Sequence, residues 1–259
     1  ASLDHPNITR LLDGGVTDGG RPYLVMEHVD GVPLTPYAEA NALNLDARLD
    51  LLLQVADAVQ AAHGSLVVHR DLKPSNVLVT EADGAPTVKL LDFGIAKLLD
   101  DSLPVARPET RTGHHLMTPS YAAPEQVQRR EITVATDVYQ LGVLAYELLT
   151  GTRPFDTHGK RPTELERLVV ETEPGRPSER TTAPAVPSRA RRGDLDTIFL
   201  KELRKEPGRR YRSVEALAAD LRRHRRQEPI HARTVTLGYR TQKFVRRHRW
   251  GLGTTVGVV

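Results

Sequence analysis

The sequence predicts an α+β fold in which a small β portion precedes a mainly helical body. Three observations carry that prediction. Two short β-type runs, Ile8 to Val16 and Pro22 to Val29, stand near the start, joined by the turn-forming Asp18-Gly19-Gly20. Apolar residues then recur at helical spacing from Asp46 to about His63. Further on, Val138 to Thr150 is apolar almost all round, the pattern of a buried helix rather than a surface one.

In the helix beginning at Asp46, the stripe is Leu49, Leu52, Leu53, Ala56 and Val59, and Gly64 closes it. Short strands follow at Val77 to Thr80 and Thr87 to Leu90, with a turn at Ala82 to Ala85. Asp100 to Met117 has no apolar period and reads as a loop of a length usually tied to function or disorder. Glu173 to Arg192, rich in Pro, Ser, Thr and Arg, reads as an irregular connection. Helices are expected near Asp194 to Arg204 and Ser213 to Arg226, the second with Val214, Leu217, Ala218 and Leu221 as its stripe. No internal repeat is present.

A chain of 259 residues buries a substantial core. Without cysteine it has no disulfide, thiolate metal site or Cys nucleophile. Its formal charge of +3 hides a basic C-terminal end, with Arg222 to Arg226 interrupted only by His224, and later Arg246, Arg247, His248 and Arg249. Such runs suit a solvated helix face or tail, nucleic acid, or an anionic membrane surface. Ala1 to Arg10 is polar and is not a signal peptide; because it lacks an initial Met, the expectation is that the natural N-terminus lies elsewhere. Trp250 to Val259 is uncharged, ten residues long, and about half of the roughly 20 needed to span a bilayer.

The loop Val68 to Val79 carries the densest chemistry. Asp71 and Asn76 lie five residues apart with Lys73 between them, and Asp92 follows sixteen residues after Asn76. Phosphoryl transfer from ATP needs such groups: a carboxylate to orient a hydroxyl and take its proton, a cation for the γ-phosphoryl charge, and oxygen ligands for Mg²⁺. Asp71 is then the base, Lys73 the phosphate-side cation, and Asn76 and Asp92 the metal ligands. Taken singly, each Asp or Asn reads equally well as a cap or turn residue; the ordered set does not.

His69-Arg70-Asp71-Leu72-Lys73-Pro74-Ser75-Asn76 and Asp92-Phe93-Gly94 resemble the catalytic and metal-binding loops of the protein kinase superfamily, of the Ser/Thr type. The resemblance covers about Ser2 to Arg226 and extends to bacterial eukaryotic-like receptor-type kinases. It implies a bilobal fold, mainly the helical large lobe with residual small-lobe strands. Ala123-Pro124-Glu125 resembles the end of the activation segment, and Thr118 the threonine that contacts the catalytic Asp and Lys. Asp137, Tyr139 and Gly142 match the start of the central helix, where the Asp braces the catalytic loop. Arg210 matches the arginine that pairs with Glu125. His5-Pro6-Asn7-Ile8 resembles the turn after the small lobe's regulatory helix. The resemblance further implies Met26 as gatekeeper, the Glu27 carbonyl and Val29 amide as adenine partners, and Leu78 as the floor under the ring, although Met26 and Leu78 read equally well as core residues. Arg70 is placed to answer a phosphate on the activation segment, and Thr110 and Thr112, eight and six residues before Thr118, are the candidate phosphosites.

The resemblance also has departures. No Gly-rich loop, strand lysine or helix glutamate partner precedes the His-Pro-Asn turn, so an N-terminally truncated, inactive piece of a kinase is expected. Met117 stands where Gly is frequent, and Gln140 replaces a small residue; both are read as bearing on substrate fit and packing rather than on the catalytic set. The expected organisation is 1–30 for the end of the small lobe and hinge, 31–226 for the large lobe, 227–249 for a basic juxtamembrane segment, and 250–259 for the start of a transmembrane helix. The expected activity is transfer of the ATP γ-phosphoryl to Ser or Thr hydroxyls of protein substrates, with autophosphorylation, from a cytoplasmic domain of a membrane-anchored parent. A pseudokinase scaffold and a small-molecule phosphotransferase are the alternatives. Nucleic acid is not expected as a partner, because the basic tail lacks interleaved stacking aromatics.

Overall fold

The computed structural model describes residues 3–82, 84–92, 119–156, 159–180 and 185–252. Its first fixed feature is the His5-Pro6-Asn7 turn. The Asn7 side-chain amide donates to the Val88 carbonyl (2.8 Å) and to Gln54 Oε1 (3.2 Å), tying the turn to a strand and a helix far along the chain. Strand β1 (Leu11–Val16) pairs antiparallel with β2 (Pro22–Met26), Gly14 opposite Leu24. Both are shorter than the β-type runs in the sequence. Ile8 instead makes an isolated parallel bridge to Leu90, and the last rung beyond β2 is the Glu27 amide donating to the Arg10 carbonyl (2.9 Å).

A second sheet holds β3 (Val32–Pro33), β4 (Val77–Ala82) and β5 (Ala85–Leu90), antiparallel in that order, with Pro33 opposite Leu78 and Val77 opposite Leu90. Between β3 and β4 lie α1 (Leu34–Ala40), which buries Leu34, Tyr37 and Ala38, and α2 (Leu45–Gly64). Asn44 caps α2 by accepting from the Ala47 amide at 3.0 Å. The left-handed residue that ends it is Leu66 (φ 62°), two positions past the Gly64 that the sequence pattern suggests.

After the second sheet come α3 (Pro124–Val127), α4 (Val134–Thr150), α5 (Pro162–Glu171), α6 (Ser188–Arg191), α7 (Asp194–Glu202), α8 (Val214–Arg225) and α9 (Leu237–Leu252). Helix α4 is the buried helix that the sequence predicts: fourteen of its residues are buried, and Gly151 in the left-handed region (φ 74°) stops it. It sits so close to α7 that a Cβ on Gly142 would lie 2.7 Å from Glu202 Cβ. Leu52, Val55 and Val59 of α2, Leu141, Leu144 and Leu148 of α4, Ile198 and Phe199 of α7, and Leu217 and Leu221 of α8 form one core.

Two arginines complete that core. Arg48 donates to the carbonyls of Leu43 (2.8 Å), Ala38 (3.1 Å) and Leu148, and Arg191 to those of Pro177 (3.0 Å), Leu149 (3.1 Å), Val186 and Arg180. Burial pushes the pKa of both guanidiniums down. Leu43, Val186 and Arg180 lie outside the α-helices and strands, and Leu148 and Leu149 fall in the last turn of α4, where intrahelical donors run out. The described parts of the connection, 173–180 and 185–192, are therefore gathered around Arg191 rather than by an apolar period.

The chain beyond α8 is also fastened. Asp220 accepts from the His231 and Ala232 amides (2.7 and 2.8 Å) and from the Tyr211 hydroxyl (2.9 Å). In α9, Tyr239 donates to Asp194 at 3.0 Å, and the Lys243 ammonium lies 2.5 Å from the same carboxylate. Among the described residues, no helix is long and apolar enough to cross a membrane.

Candidate active site

The catalytic-type loop lies between α2 and β4, and its backbone is held from α4. The Asp137 carboxylate accepts from the His69 amide (2.7 Å), the Arg70 amide (2.8 Å) and His63 Nε2 (2.7 Å). Asp137 is fully buried, so these donors replace the water it lost. His69 is buried as well. Its Nε2 faces the Leu91 carbonyl at 2.9 Å while its Nδ1 faces the Asp71 amide at 3.3 Å. The amide must donate and the carbonyl must accept, which assigns the neutral Nε2–H tautomer. Burial pushes the His69 pKa down, against the pull of Asp137 and the Leu91 carbonyl, in keeping with a neutral ring.

Arg70 has φ 69°, a left-handed conformation that an L-residue with a long side chain seldom adopts. Its carbonyl accepts from Gln126 Nε2 (2.8 Å) and Gln140 Nε2 (3.1 Å). Its Nε is buried and has no hydrogen-bond partner among the described residues.

Asp71, Lys73 and Asn76 converge on one point. Asp71 Oδ2 lies 2.8 Å from Lys73 Nζ and 3.2 Å from Asn76 Nδ2, which also donates to the Asp71 carbonyl at 2.9 Å. Both charged side chains keep about a fifth of their surface exposed, enough for a substrate to reach them. A single turn of 3₁₀ helix, Pro74–Asn76, aims the Asn76 amide inward. With its NH₂ spent on Asp71, the Asn76 Oδ1 keeps lone pairs for a cation, its one side-chain hydrogen bond among the described residues being from Ser75 Oγ at 3.5 Å. The Leu91 amide donates to the Asn76 carbonyl (2.8 Å), so the chain leaving β5 brings Asp92 directly beside that loop. Asp92 is exposed, at φ 48°. An amide oxygen and a carboxylate on two adjoining loops are donor types that suit a hard, oxygen-seeking cation such as Mg²⁺, which uses few protein ligands. Among the described residues, no group of three His, Asp or Glu forms an all-protein metal cage.

Met26, Leu78 and Val29 are half-buried around the crossing between β2 and β3. Among the described residues, the Glu27 carbonyl and the Val29 amide make no backbone hydrogen bond, whereas the Glu27 carboxylate accepts from the Arg10 amide and pairs with Lys89 at 3.2 Å. Those contacts hold its pKa below the usual carboxylate range. A cavity of about 730 Å³ lies here too, lined by His5, Arg10, Glu27 and Lys89 but by none of Asp71, Lys73, Asn76 or Asp92.

At the far side of the loop, Arg210 binds Glu125 with two parallel bonds of 2.7 and 2.8 Å. Burial acts to raise the Glu125 pKa, but the guanidinium and the Thr136 hydroxyl (2.8 Å) outweigh it and hold the carboxyl below its ordinary value. Phe93, Gly94, Thr110, Thr112, Met117 and Thr118 lie outside the described residues.

Residues 1–220 match the family model described as the protein kinase domain. The chain belongs to the protein kinase family. Similar curated relatives include serine/threonine-protein kinase Pkn1 of Myxococcus xanthus, 41% identical over 215 residues, an overlap of 83% of this chain and 29% of the relative. PrkC of Bacillus subtilis is 36% identical over 223 residues, covering 86% of this chain and 32% of that protein. PknB of Mycobacterium leprae is 33% identical over 241 residues, covering 91% and 36%. The chain therefore spans about a third of the length of the curated relatives it matches. Its two sheets and helical body are an α+β protein kinase fold.

One expectation needs correcting. Gln140 does not bear on packing alone: besides its Arg70 contact, its Oε1 accepts from the Leu72 amide at 3.1 Å, so it grips the catalytic-type loop directly. Gln126 and His63 also touch this loop or its brace, and sequence reasoning passed over both. For Gln140 the available signal was a long amide within the mostly apolar run Val138 to Thr150; Gln126 and His63 carried none.

Proposed function

We propose that this kinase domain transfers the γ-phosphoryl group of ATP to Ser or Thr hydroxyls of protein substrates. The observation that carries this reading is the convergence of Asp71, Lys73 and Asn76 within 3.2 Å in a loop braced by Asp137. Asp71 accepts the proton of the attacking hydroxyl as its oxygen bonds to phosphorus and the bond to the ADP oxygen breaks. Lys73 offsets the charge on the transferring group, and at the same time holds Asp71 in place. Asn76 Oδ1 and Asp92 are the residues to hold Mg²⁺, which supplies charge neutralisation on the phosphates. Met26, Glu27, Val29 and Leu78 are assigned to the adenine, through the Glu27 carbonyl and Val29 amide, which make no backbone hydrogen bond among the described residues. The test is phosphorylation of a generic Ser/Thr protein substrate by the full-length protein beside Asp71→Asn. Equal activity in the two would end the proposal.

Regulation and setting extend the same reading. Thr118 is assigned a contact with the catalytic pair, Thr110 and Thr112 autophosphorylation, and Arg70 the phosphate that results; an Arg70 Nε with no hydrogen-bond partner among the described residues supports that last role. Glu125 and Arg210 fix the end of the activation segment, and Asp137 braces the loop. Because these 259 residues hold no Gly-rich loop or strand lysine, the chain by itself is expected to bind ATP weakly and to transfer phosphate poorly. Residues 1–30 are assigned to the small lobe and hinge, 31–226 to the large lobe, and 227–249 to a basic juxtamembrane segment. The run from Arg246 to Arg249 followed by Trp250 and uncharged residues supports a cytoplasmic kinase domain on a parent anchored in the cell membrane through 250–259.

A further inference from the structure

We propose that Gln126 and Gln140 form a paired-amide clamp that fixes the peptide between Arg70 and Asp71, making both of them positioning residues for the catalytic base. The inference rests on the kinase reading of Asp71. It starts from a backbone that would not hold this shape unaided: Arg70 sits at φ 69°, and such conformations persist only where the surroundings over-determine them. Asp137 fixes the amides of His69 and Arg70, on the near side of the strained residue. The far side is the peptide whose nitrogen belongs to Asp71, and Asp137 does not touch it.

The two glutamines do. Gln126 Nε2 and Gln140 Nε2 donate to the Arg70 carbonyl from two elements, at 2.8 and 3.1 Å, occupying both of its lone pairs. Gln140 Oε1 accepts from the Leu72 amide at 3.1 Å, so one side chain spans the peptide before Asp71 and the amide after it. The glutamines are also bonded to each other, Gln140 Nε2 to Gln126 Oε1 at 2.9 Å, and Gln126 Oε1 accepts from the Ala123 amide at 2.8 Å. Both are nearly solvent-free, 8% and 2% exposed, so water cannot substitute for a missing amide. A peptide gripped on its carbonyl from two directions cannot rotate without breaking both bonds, and that rotation would swing the Asp71 side chain away from Lys73 and Asn76. Through Ala123, the same amides tie the end of the activation segment to Asp71. A shift at Ala123–Gln126 thus reaches the base through two hydrogen bonds.

The test uses Gln140→Met, Gln126→Met and the double variant of the full-length protein, Met keeping most of the volume. For Gln140→Met the expected result is a fall in kcat of at least about tenfold, with KM for ATP and for a peptide substrate within about twofold of the parent. Gln126→Met, which leaves the Gln140 bonds to Arg70 and Leu72 in place, loses less. The double variant falls short of the product of the two losses, because both amides serve one carbonyl. Hydrogen exchange read in parallel should accelerate at Arg70 to Leu72 while the α4 amides keep parental protection. Unchanged kcat in the double variant overturns the proposal, as does acceleration spread evenly over the core. If Asp71→Asn proves as active as the parent, the kinase reading fails, and the exchange pattern still decides whether the clamp exists.

Discussion

Replacing Arg210 by Met strands a carboxylate that the fold cannot rehydrate. Glu125 is 3% exposed and receives two guanidinium bonds at 2.7 and 2.8 Å, leaving the Thr136 hydroxyl as its remaining side-chain donor once Arg210 is gone. The same guanidinium also donates to the carbonyls of Arg204, Lys205 and Ala135 and stacks 4.9 Å from the Tyr139 ring, so its loss also unties the loop at 204–205 from the first turn of α4. Breaking one partner of a buried pair costs about 3–5 kcal/mol. With a urea slope of about 3 kcal/mol/M, the unfolding midpoint should fall by about 1–2 M. Far-UV circular dichroism through a urea titration at pH 7 measures it. The sign of the pH dependence makes the argument sharper. In the parent, Glu125 titrates below its usual range, so its contribution is present above about pH 4.5 and fades as pH falls through the lowered value. In Arg210→Met, burial without the cation raises the carboxyl instead, which penalises the variant at neutral pH and relieves it in acid. The gap between parent and variant should therefore narrow from pH 7 to pH 4.5. A loss under about 1 kcal/mol, or a gap constant over that interval, would refute the account of Glu125 as a buried charge that depends on its partner.

Glu202 presents the opposite case. It is fully buried, both oxygens lack a hydrogen-bond partner among the described residues, and burial raises its pKa well above 4.5. Its protonated form is stable below the unfolded value, and that stability is lost as pH rises through the folded one. Glu202→Met should thus raise the melting temperature at pH 8 but bring little gain at pH 4, as differential scanning fluorimetry would register. Gly142→Ala drives a methyl to within 2.7 Å of Glu202 Cβ and should cost about 1–3 kcal/mol by chemical denaturation. At Asp194, burial acts to raise the pKa, but His224, Lys243 and Tyr239 together lower it to about 2. The docking of α9 should accordingly hold above about pH 4 and weaken as pH drops toward 2, while Lys243→Met should expose the Tyr239 region to proteolysis at pH 7.

Much of the site was legible because its chemistry is packed into one stretch. The order and spacing of Asp71, Lys73, Asn76 and Asp92 depend on a short loop and one hairpin, so sequence distance there tracks spatial distance. The long helices α2 and α4 were equally legible, since a sustained apolar pattern leaves few alternatives to burial. The short helices α1, α3, α5 and α6 were not: they are too short for a period to show, and their order comes from partners elsewhere. Arg48 and Arg191 illustrate why, each resembling a surface arginine until the carbonyls it collects are known.

By itself the sequence determined the α+β class, the two principal helices and the catalytic-type loop, all of which rest on local pattern. Only the tertiary structure decided what Gln140 does. Its amide matters because Leu72, Arg70 and Gln126 surround it, three groups from 14 to 70 residues away in the chain. A hydrogen bond requires two groups within about 3 Å at a suitable angle. Along the chain, Gln140 is a polar interruption in an apolar helix. In the folded protein, its donors and acceptor meet the backbone on either side of Asp71.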